Sequence, residues 1–243
     1  MNSLSIVLPT LNELENLRVL YPEIRASFPQ AHVIIVDDAS SDGTKAYLDS
    51  LVQQDKNLHV LFRTGKLGIG SAHLDGLKMA RRIQSEYVLT MDADRTHRVV
   101  DIRLLWQARD TASLIVGSRY LRGSQIVGWS KFRLFLTHAG HIVTSIFFGT
   151  AIDMSSGLRL YNIKKIPFDN LLHNCPQDYE FFFSSILVYR KMRMTIFQVP
   201  VVLEKRGAGN SKMTLGLMRR GVVRLFIYGL RLRRITLLDK VSS

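Results

Sequence analysis

Two acids separated by one residue, Asp92 and Asp94, follow an apolar run in the stretch 86–94 (EYVLTMDAD). In an extended chain, side chains two residues apart point to the same side, so both carboxylates face one way. Carboxylate oxygens are ligands that Mg²⁺ and similar cations prefer. A strand ending in such a pair places it in the crevice where open parallel sheets bind ligands. The pair predicts a site for a metal and a nucleotide diphosphate, although surface turns hold two acids about as often.

The elements that would carry this pair alternate between strands and helices. Apolar runs bounded by polar turns predict strands at residues 5–8, 32–36, 58–62, 87–91 and 113–116. Helical patterns between them predict a first helix ending near residue 28, and further helices at 45–54, 70–83 and 99–108. Thr10 and Glu13 have the spacing of a capping box for the first helix. This alternation predicts an α/β fold with a doubly wound, mostly parallel sheet and helices on both faces.

The composition narrows the class of protein. With 243 residues, 47% of them hydrophobic, the chain can build one domain with a large core. The 33 Lys and Arg outnumber the 20 Asp and Glu, and the net charge of +13 indicates a polyanionic partner such as nucleic acid, anionic lipid or phosphorylated substrate. A single cysteine, Cys175, excludes an internal disulfide and a cysteine-based zinc site. We expect neither a membrane span nor a signal peptide, because no apolar run of about 18 residues occurs and the start lacks a basic leader.

Beyond Tyr120 the alternation ends. Residues 129–149 and 179–189 have helical patterns, and residues 158–161 and 194–203 have strand patterns. Because no linker interrupts them, we predict one domain over residues 1–212, with a first half at 1–120 and an acceptor half at 121–212. Residues 213–243 predict a basic amphipathic helix on a membrane surface. A helix packed on the core by its apolar face is an equal alternative.

Several short motifs stand in a fixed order and would meet at the carboxyl ends of the strands. They are 8–13 (LPTLNE), 36–44 (VDDASSDGT), 65–72 (GKLGIGSA), 91–94 (MDAD) with His97, 117–120 (GSRY), 128–129 (GW) with Arg133, 153–157 (DMSSG) with Arg159, and 209–212 (GNSK). This ordered set resembles the family 2 inverting glycosyltransferases of GT-A fold. It is most similar to the dolichol-phosphate mannose synthases and polyprenyl-phosphate sugar transferases, over about residues 4 to 213.

The resemblance implies a nucleotide diphosphate sugar as donor, from which a hexose, mannose or glucose, is transferred with inversion. It implies that the nucleotide sugar is held by Pro9, Leu11, Glu13, Asp37, Asp38, Lys66 and Asp92. Asp94 would bind Mg²⁺ or Mn²⁺, with Asp92 and Thr96 as further ligand positions. Two simpler interpretations stay open, because acids at positions 37 and 38 also suit a helix cap, and residues 65–70 also suit a plain glycine turn.

The resemblance also implies a polyprenyl phosphate acceptor, dolichyl or undecaprenyl phosphate. Residues implied to bind the acceptor or phosphate groups are Arg119, Arg133, Ser156, Arg206, Ser211 and Lys212, of which the arginines and Lys212 would hold both the lipid phosphate and the diphosphate. Arginine offers forked donors that match phosphate oxygens, although each arginine taken singly is also a common surface ion-pair partner. Catalysis would depend on Asp92, Asp94 and Arg119, which would stabilise the negative charge that develops on the leaving diphosphate. A lipid phosphate is largely deprotonated at neutral pH, so no general base is needed.

Three positions depart from the family pattern. Thr96 occupies a common metal-ligand position, and because a hydroxyl is a poorer ligand than a carboxylate or amide oxygen, His97 or water would substitute. His97 is equally well interpreted as a residue that orients Asp94. Leu11 replaces a frequent Tyr near the base, and Asn210 replaces a frequent Glu. Because of these departures, the sequence does not determine the nucleotide base or the sugar of the donor.

Two other functions remain as alternatives. A family 2 enzyme acting on a glycan hydroxyl, in cell-surface polysaccharide synthesis, would need a general base, for which Asp178 and Glu180 are the candidates. A nucleic-acid-binding protein would need basic residues interleaved with exposed aromatics, and that pattern does not stand out. We therefore expect a peripheral enzyme at the cytoplasmic face of a membrane, held there by residues 213–243 or by a small membrane-protein partner, and no nucleic acid.

Overall fold

The computed structural model describes residues 3–165 and 178–208. Its strands are β1 (Leu4–Thr10), β2 (His32–Asp37), β3 (Leu58–Phe62), β4 (Tyr87–Thr90), β5 (Leu114–Ser118), β6 (Gln125–Ile126), β7 (Arg159–Asn162), β8 (Ile196–Pro200) and β9 (Val202–Leu203). Its helices are α1 (Leu14–Ser27), α2 (Thr44–Val52), α3 (Ile69–Arg82), α4 (Val99–Gln107), α5 (Lys131–Phe148) and α6 (Glu180–Lys191), with a 3₁₀ turn at Ile163–Lys165. Strands and helices alternate from β1 to β5, as predicted.

The central sheet has seven strands in the order β3-β2-β1-β4-β7-β5-β8. Strand β7 runs antiparallel to both of its neighbours, and the other pairs are parallel. The chain steps outward from β1 to β3 and then returns to β4 on the other side of β1. The carboxyl ends of β1 and β4 therefore flank the switch point, where sheets of this kind bind their ligands.

Helices cover both faces of this sheet. In β1, Ile6 and Leu8 point into the cluster formed with α1 and α4, and Val7 points into the cluster formed with α3 and α6. All three side chains are fully buried. This explains why β1 is continuously apolar, because a strand covered on both faces cannot alternate with polar residues. The predicted doubly wound α/β fold is confirmed.

Two local predictions were wrong. Thr10 and Glu13 form no capping box: the Thr10 hydroxyl donates to Asp37 Oδ1 at 2.9 Å, and the backbone N–H of Leu14 donates to Asp42 Oδ2 at 3.0 Å. The single strand predicted at residues 194–203 is divided into β8, which pairs with β5, and β9, which pairs with β6. The two-residue strand β6 is too short to leave a pattern in the sequence.

Among the described residues, no helix combines the length and the apolar character needed to cross a bilayer. The predicted basic helix at residues 213–243 lies outside the described residues, as does Cys175. The domain boundary at residue 212 therefore stays a prediction.

Candidate active site

The loops that follow β1, β2 and β4 meet at the switch point, and each contains one non-glycine residue in the left-handed region. These are Asn12 with φ 53°, Ala39 with φ 58° and Arg95 with φ 64°. Non-glycine residues adopt this conformation rarely and at a cost of about 1–3 kcal/mol, and they cluster at functional sites. Asn12 also joins two of the loops, because its side-chain oxygen accepts from the Ser41 N–H at 2.7 Å.

Asp92 lies just beyond β4 with its side chain 31% exposed. Burial of the group and the nearby charge of Asp94 raise the pKa of Asp92 to about 7. Gly157 lies against this carboxylate, since a Cβ at Gly157 would stand 3.1 Å from its Oδ1 and 3.2 Å from its Oδ2. The two acids are therefore close enough to repel each other, and the glycine leaves the space that Asp92 occupies.

Asp94 is held in place from two sides. Its Oδ1 accepts from the backbone N–H of Thr96 at 3.0 Å and from the Thr96 hydroxyl at 2.7 Å. Its Oδ2 lies 3.3 Å from Nη1 of Arg206, and its backbone carbonyl accepts from Gly207 at 3.0 Å. Thr96 thus orients Asp94 in this structure. Direct binding of a metal by Thr96 stays a prediction.

The acid pair fits a divalent cation. Burial and then the charge of Asp94 raise the pKa of Asp92, and a cation between the two acids would offset their repulsion through carboxylate oxygens, which are suitable ligands. Across residues 3–165 and 178–208, no three His, Cys, Asp or Glu side chains are grouped closely enough to enclose a metal ion. In proteins Mg²⁺ is usually bound through one or two carboxylates together with substrate phosphates and water.

His97 packs behind Asp92 in the described part of the site. It is buried, and its Nδ1 lies 3.9 Å from Asp92 Oδ2, beyond hydrogen-bonding distance. Burial lowers the pKa of His97 to about 4, so the ring is neutral at physiological pH. The structure thus places His97 next to Asp92, and the charge of Asp94 also acts on it. Whether His97 orients Asp94 or substitutes as a metal ligand stays a prediction.

Glu13 is buried at the end of the β1 loop and binds two partners. Its Oε1 pairs with Nη2 of Arg206, and its Oε2 accepts from Asn16 Nδ2 at 2.6 Å. Asn16 in turn bonds both the N–H and the carbonyl of Ala208. Arg206 therefore bridges Glu13 and Asp94, and residues 206–208 are tied across the opening between β1 and β4.

Asp37 and Asp38, at the end of β2, hold loops and do not cap α2. Asp37 accepts from Thr10 at 2.9 Å and from the Ser40 N–H at 2.9 Å. Asp38 pairs with the buried Arg63 at 2.6 Å and accepts from the Gly68 N–H at 3.3 Å. Burial raises the pKa of Asp38 even though Arg63 opposes the shift. The helix-cap alternative is wrong, because α2 begins at Thr44, whose N–H bonds Asp42.

The other residues expected near the nucleotide lie at the same edge of the sheet. Pro9 and Leu11 are partly buried at the end of β1, and Lys66 is exposed in the segment before α3. Gly68 has φ 99°, a conformation that favours glycine, and its N–H points at Asp38. This bond fixes one end of the segment. Binding of the nucleotide sugar by Lys66 stays a prediction.

Residues 5–180 match the family model described as Glycosyl transferase family 2. The chain belongs to glycosyltransferase family 2. It is 31% identical over 233 residues to the undecaprenyl-phosphate mannosyltransferase of Micrococcus luteus, with 93% of this chain and 94% of that protein covered. It is also 31% identical over 231 residues to the polyprenol monophosphomannose synthase of Mycolicibacterium smegmatis, with 93% of this chain and 86% of that protein covered. The resemblance stated from the sequence is confirmed, and the class of protein is a glycosyltransferase.

Solved structures agree on the fold of this glycosyltransferase. Glucosyl-3-phosphoglycerate synthase from Mycobacterium tuberculosis, solved with Mn²⁺, UDP and glucosyl-3-phosphoglycerate, has a TM-score of 0.66 at 17% identity. The match covers 95% of this chain and 80% of that one. At this identity the likeness shows the fold alone, and it confirms the GT-A architecture.

Arg119 directly follows β5 and is held by a buried carboxylate. Arg119 Nε donates to Asp153 Oδ2 at 2.9 Å, and Asp153 is fully buried. Burial opposes the charge on Arg119, but the Asp153 carboxylate raises its pKa above the ordinary value. The charges of Asp92 and Arg119 act on each other, so the guanidinium lies within electrostatic range of the acid pair.

Arg133 lies at the start of α5, where its guanidinium stacks 3.6 Å from the centre of the Trp129 ring. Burial and the charge of Arg119 lower the pKa of Arg133, and Asp94 acts in the opposite direction. Ser156, by contrast, is buried, and its hydroxyl bonds the backbone N–H of Leu158 at 3.3 Å. Ser211 and Lys212 lie outside the described residues, so their roles stay predictions.

The start of α6 also reaches the site. The pKa of Tyr179 is raised by burial and by the charges of Asp92 and Asp94, so this tyrosine lies near the acid pair. Its neighbours differ in exposure, since Asp178 is exposed and Glu180 is buried. Whether either acid acts as a base stays a prediction.

Sequence reasoning missed three residues that shape the site. Arg63 holds Asp38, Asp153 holds Arg119, and Tyr179 approaches the acid pair. Arg63 and Asp153 each had a signal, because one directly follows a strand and the other opens the motif at 153–157. Tyr179 had none, since its position depends on how α6 packs.

Proposed function

We propose that this glycosyltransferase moves a mannosyl group from a nucleotide diphosphate sugar, GDP-mannose in the first place, to polyprenyl phosphate. The transfer inverts the anomeric carbon and depends on Mg²⁺ or Mn²⁺. Two relatives at 31% identity support mannosyl transfer to a polyprenyl phosphate, since one is named an undecaprenyl-phosphate mannosyltransferase and the other a polyprenol monophosphomannose synthase. A structure of similar fold contains Mn²⁺ and UDP.

One observation carries the proposal: the acid pair at the end of β4 is flanked by cationic side chains from three separate segments. Arg119 follows β5, Arg133 begins α5, and Arg206 follows β9. The charges of Arg119 and Arg206 both act on Asp92. Such a site suits chemistry in which a diphosphate leaves and a phosphate attacks, because negative charge is present on both sides of the sugar.

In this mechanism the acceptor phosphate oxygen attacks the anomeric carbon as the bond from that carbon to the nucleotide diphosphate breaks. Arg119 and Arg133 would hold the acceptor phosphate with forked donors. Asp92 and Asp94 would hold the cation, which would neutralise the charge on the leaving diphosphate. Arg206 would release Glu13 and Asp94 and bind the diphosphate oxygens instead. The attacking phosphate needs no base, since it is already deprotonated.

The proposal is tested by incubating the purified protein with Mn²⁺, a labelled donor and undecaprenyl or dolichyl phosphate. GDP-mannose and UDP-hexoses are compared as donors, and the labelled glycolipid is measured after extraction. We expect product from GDP-mannose, and none when EDTA removes the cation. Absence of glycolipid with every donor would contradict the proposal.

A glycan hydroxyl as acceptor is the second candidate, and the position of Tyr179 favours keeping it. The charges of Asp92 and Asp94 act on that tyrosine, which stands between Asp178 and Glu180 in the chain, and a hydroxyl acceptor would need a base near the acid pair. Asp178→Asn and Glu180→Gln separate the two functions. With a lipid phosphate acceptor, both variants keep most of the activity, whereas with a hydroxyl acceptor the loss of the base lowers kcat about 100-fold or more.

The proposed acceptor is anchored in a membrane, so we place the enzyme peripherally at the cytoplasmic face. The positive net charge of +13 supports this placement, because the cytoplasmic leaflet is anionic. The basic residues 213–243 are proposed to contribute to this contact, alone or with a small membrane-protein partner.

A further inference from the structure

Helix α5 exposes an unusual amount of apolar surface. None of its 18 residues is buried. Its outward side chains recur at helical spacing and form one continuous band, here named the α5 stripe: Phe132, Phe135, Leu136, Ile142, Val143 and Ile146. Three of them are more than two-thirds exposed, with Phe132 at 70%, Phe135 at 68% and Ile146 at 77%. Soluble proteins seldom leave such a band uncovered, and those that do commonly use it for binding.

Contacts on the opposite side of α5 fix the direction in which the stripe faces. The ring of His141 stacks on Tyr120 with centroids 3.7 Å apart, and His138 meets the same ring edge-on at 5.6 Å. At the far end, Arg190 donates to the carbonyl of Phe148 at 2.6 Å. The helix is therefore attached to the domain through its inner face, and the stripe points away from it.

The charges around the stripe favour one occupant, an anionic lipid surface. Residues 131–148 contain no Asp or Glu, and Lys131 and Arg133 stand at the start of the helix beside Trp129. Residues 209–243 are themselves rich in Lys and Arg, so their charge does not complement α5. Anionic head groups do, and basic helices with an apolar face lie in the head-group region of such bilayers.

We propose that α5 docks the enzyme on an anionic bilayer, with the α5 stripe inserted among the lipid head groups and upper acyl chains. No described helix is apolar enough to span a bilayer, so α5 lies along the surface. At about 1.5 Å per residue, the helix presents roughly 27 Å of contact length.

This docking also deepens the proposed function, on which the following step rests. Arg133 belongs to the first turn of α5, and its charge interacts with Arg119 and Asp94 in the site. A bilayer against α5 thus lies next to the cations expected to hold the acceptor phosphate. The lipid phosphate would reach the site without leaving the interface.

Flotation with vesicles tests the docking. Vesicles of phosphatidylcholine, alone or with about 30% phosphatidylglycerol, are mixed with the full chain or with the double variant Phe135→Asp/Ile146→Asp. The matched control is Val100→Asp/Leu104→Asp, which changes two exposed apolar residues on α4. We expect the full chain to bind anionic vesicles, the α5 variant to bind them about tenfold more weakly or worse, and the control to bind like the parent.

Three outcomes would overturn the docking proposal. The parent chain could fail to bind anionic vesicles at low salt, or the α5 variant could bind as tightly as the parent. In the third, sedimentation would show a parent dimer that the α5 substitutions dissociate, which would make the stripe a contact between copies.

Activity assays separate this proposal from the proposed function. The α5 variant should transfer sugar normally to a short, water-soluble prenyl phosphate and lose transfer to undecaprenyl phosphate in vesicles. Equal loss on both acceptors would contradict docking. If the parent chain were inactive with both, the proposed function would be wrong, and flotation alone would decide the role of α5.

Discussion

At the scale of single residues, the site is a network in which three acids have a defined partner. Asp94 is bound by Thr96 and Arg206, Asp38 by Arg63, and Asp153 by Arg119. Asp92 differs, because burial and the charge of Asp94 raise its pKa to about 7. A cation bound at Asp92 would favour the ionised form of this carboxylate.

Replacing Asp94 should remove metal-dependent activity. We expect Asp94→Asn to lower kcat/KM about 100-fold or more, because an amide is a weaker ligand and no longer neutralises the cation. The melting temperature of the variant should no longer rise on addition of Mn²⁺ and donor, since a ligand stabilises only a protein that binds it. The control is Asp49→Asn, an exposed acid on α2 paired with Lys45. Retained Mn²⁺-dependent activity in Asp94→Asn would contradict the assignment.

Removing Arg119 should cost stability as well as activity. Arg119→Met leaves the fully buried Asp153 without its cation, which typically costs about 3–5 kcal/mol. Urea unfolding measures this loss, and adding Asp153→Asn to the same chain should restore part of it. Arg122→Met, at an exposed position three residues away, should have little effect. Equal stability of the two arginine variants would show that the buried pair is not needed for folding.

At the scale of elements, α3 packs on β1 through a glycine. A Cβ at Gly76 would stand 2.2 Å from Cγ1 of Val7, closer than two carbon atoms can approach. Close contact here brings α3 against the sheet and positions the segment 63–70 before it. The distance between α3 and β1 therefore depends on Gly76 having no side chain.

Gly76→Ala should destabilise the protein by about 1–3 kcal/mol, because the added methyl group overpacks the interface between α3 and β1. Chemical denaturation measures the change. Gly140→Ala on α5 is the control, since nothing lies within 4 Å of a Cβ there and alanine favours helix by about 0.5–1 kcal/mol. A neutral effect at Gly76 would mean that α3 can move away from β1 at no cost.

At the scale of the whole molecule, a buried histidine links folding to pH. His73 on α3 is fully buried, stacked 5.7 Å from Phe181 and edge-on at 5.1 Å from Phe182. Neither of its ring nitrogens has a hydrogen-bond partner among the described residues. Burial lowers its pKa from 6.5 to about 3, and the charge of Arg159 acts in the same direction.

At His73, the unfolded chain therefore binds more protons than the folded one between about pH 3 and 6.5. The neutral His73 contributes to the free energy of unfolding above pH 6.5, and this contribution is lost as the pH falls from 6.5 towards 3. Between pH 7 and pH 5 the loss is about 2 kcal/mol. His73→Leu should flatten the profile of unfolding free energy against pH by that amount.

The comparison of profiles isolates His73 from other groups. Asp92 acts in the opposite direction, since its raised pKa favours the folded state as the pH falls, and it is unchanged in His73→Leu. His138→Leu, at an exposed position on α5, is the control and should leave the profile as in the parent. Equal slopes for the parent and His73→Leu would show that His73 is not the group responsible.

Much of the fold followed from the sequence because it depends on local patterns. The periodicities predicted β1 to β5 and α1 to α4 closely, and Asp92 and Asp94 could be placed at a strand end. The capping box at Thr10 was wrong, because Thr10 finds its partner in Asp37, 27 residues away. The strand predicted at 194–203 was divided because its two halves pair with different strands, a choice that local pattern does not express.

The sequence by itself determined the family and the fold, since ordered motifs and hydrophobic periodicity are properties of the chain. Tertiary structure decided which charges meet. Arg206 bridges Glu13 and Asp94, residues 193 and 112 positions distant, and α5 turns its apolar stripe outward because Tyr120 holds its other face. The physical reason is that ion pairs and exposed surfaces depend on distances in space, which become defined only when the sheet brings its strand ends together.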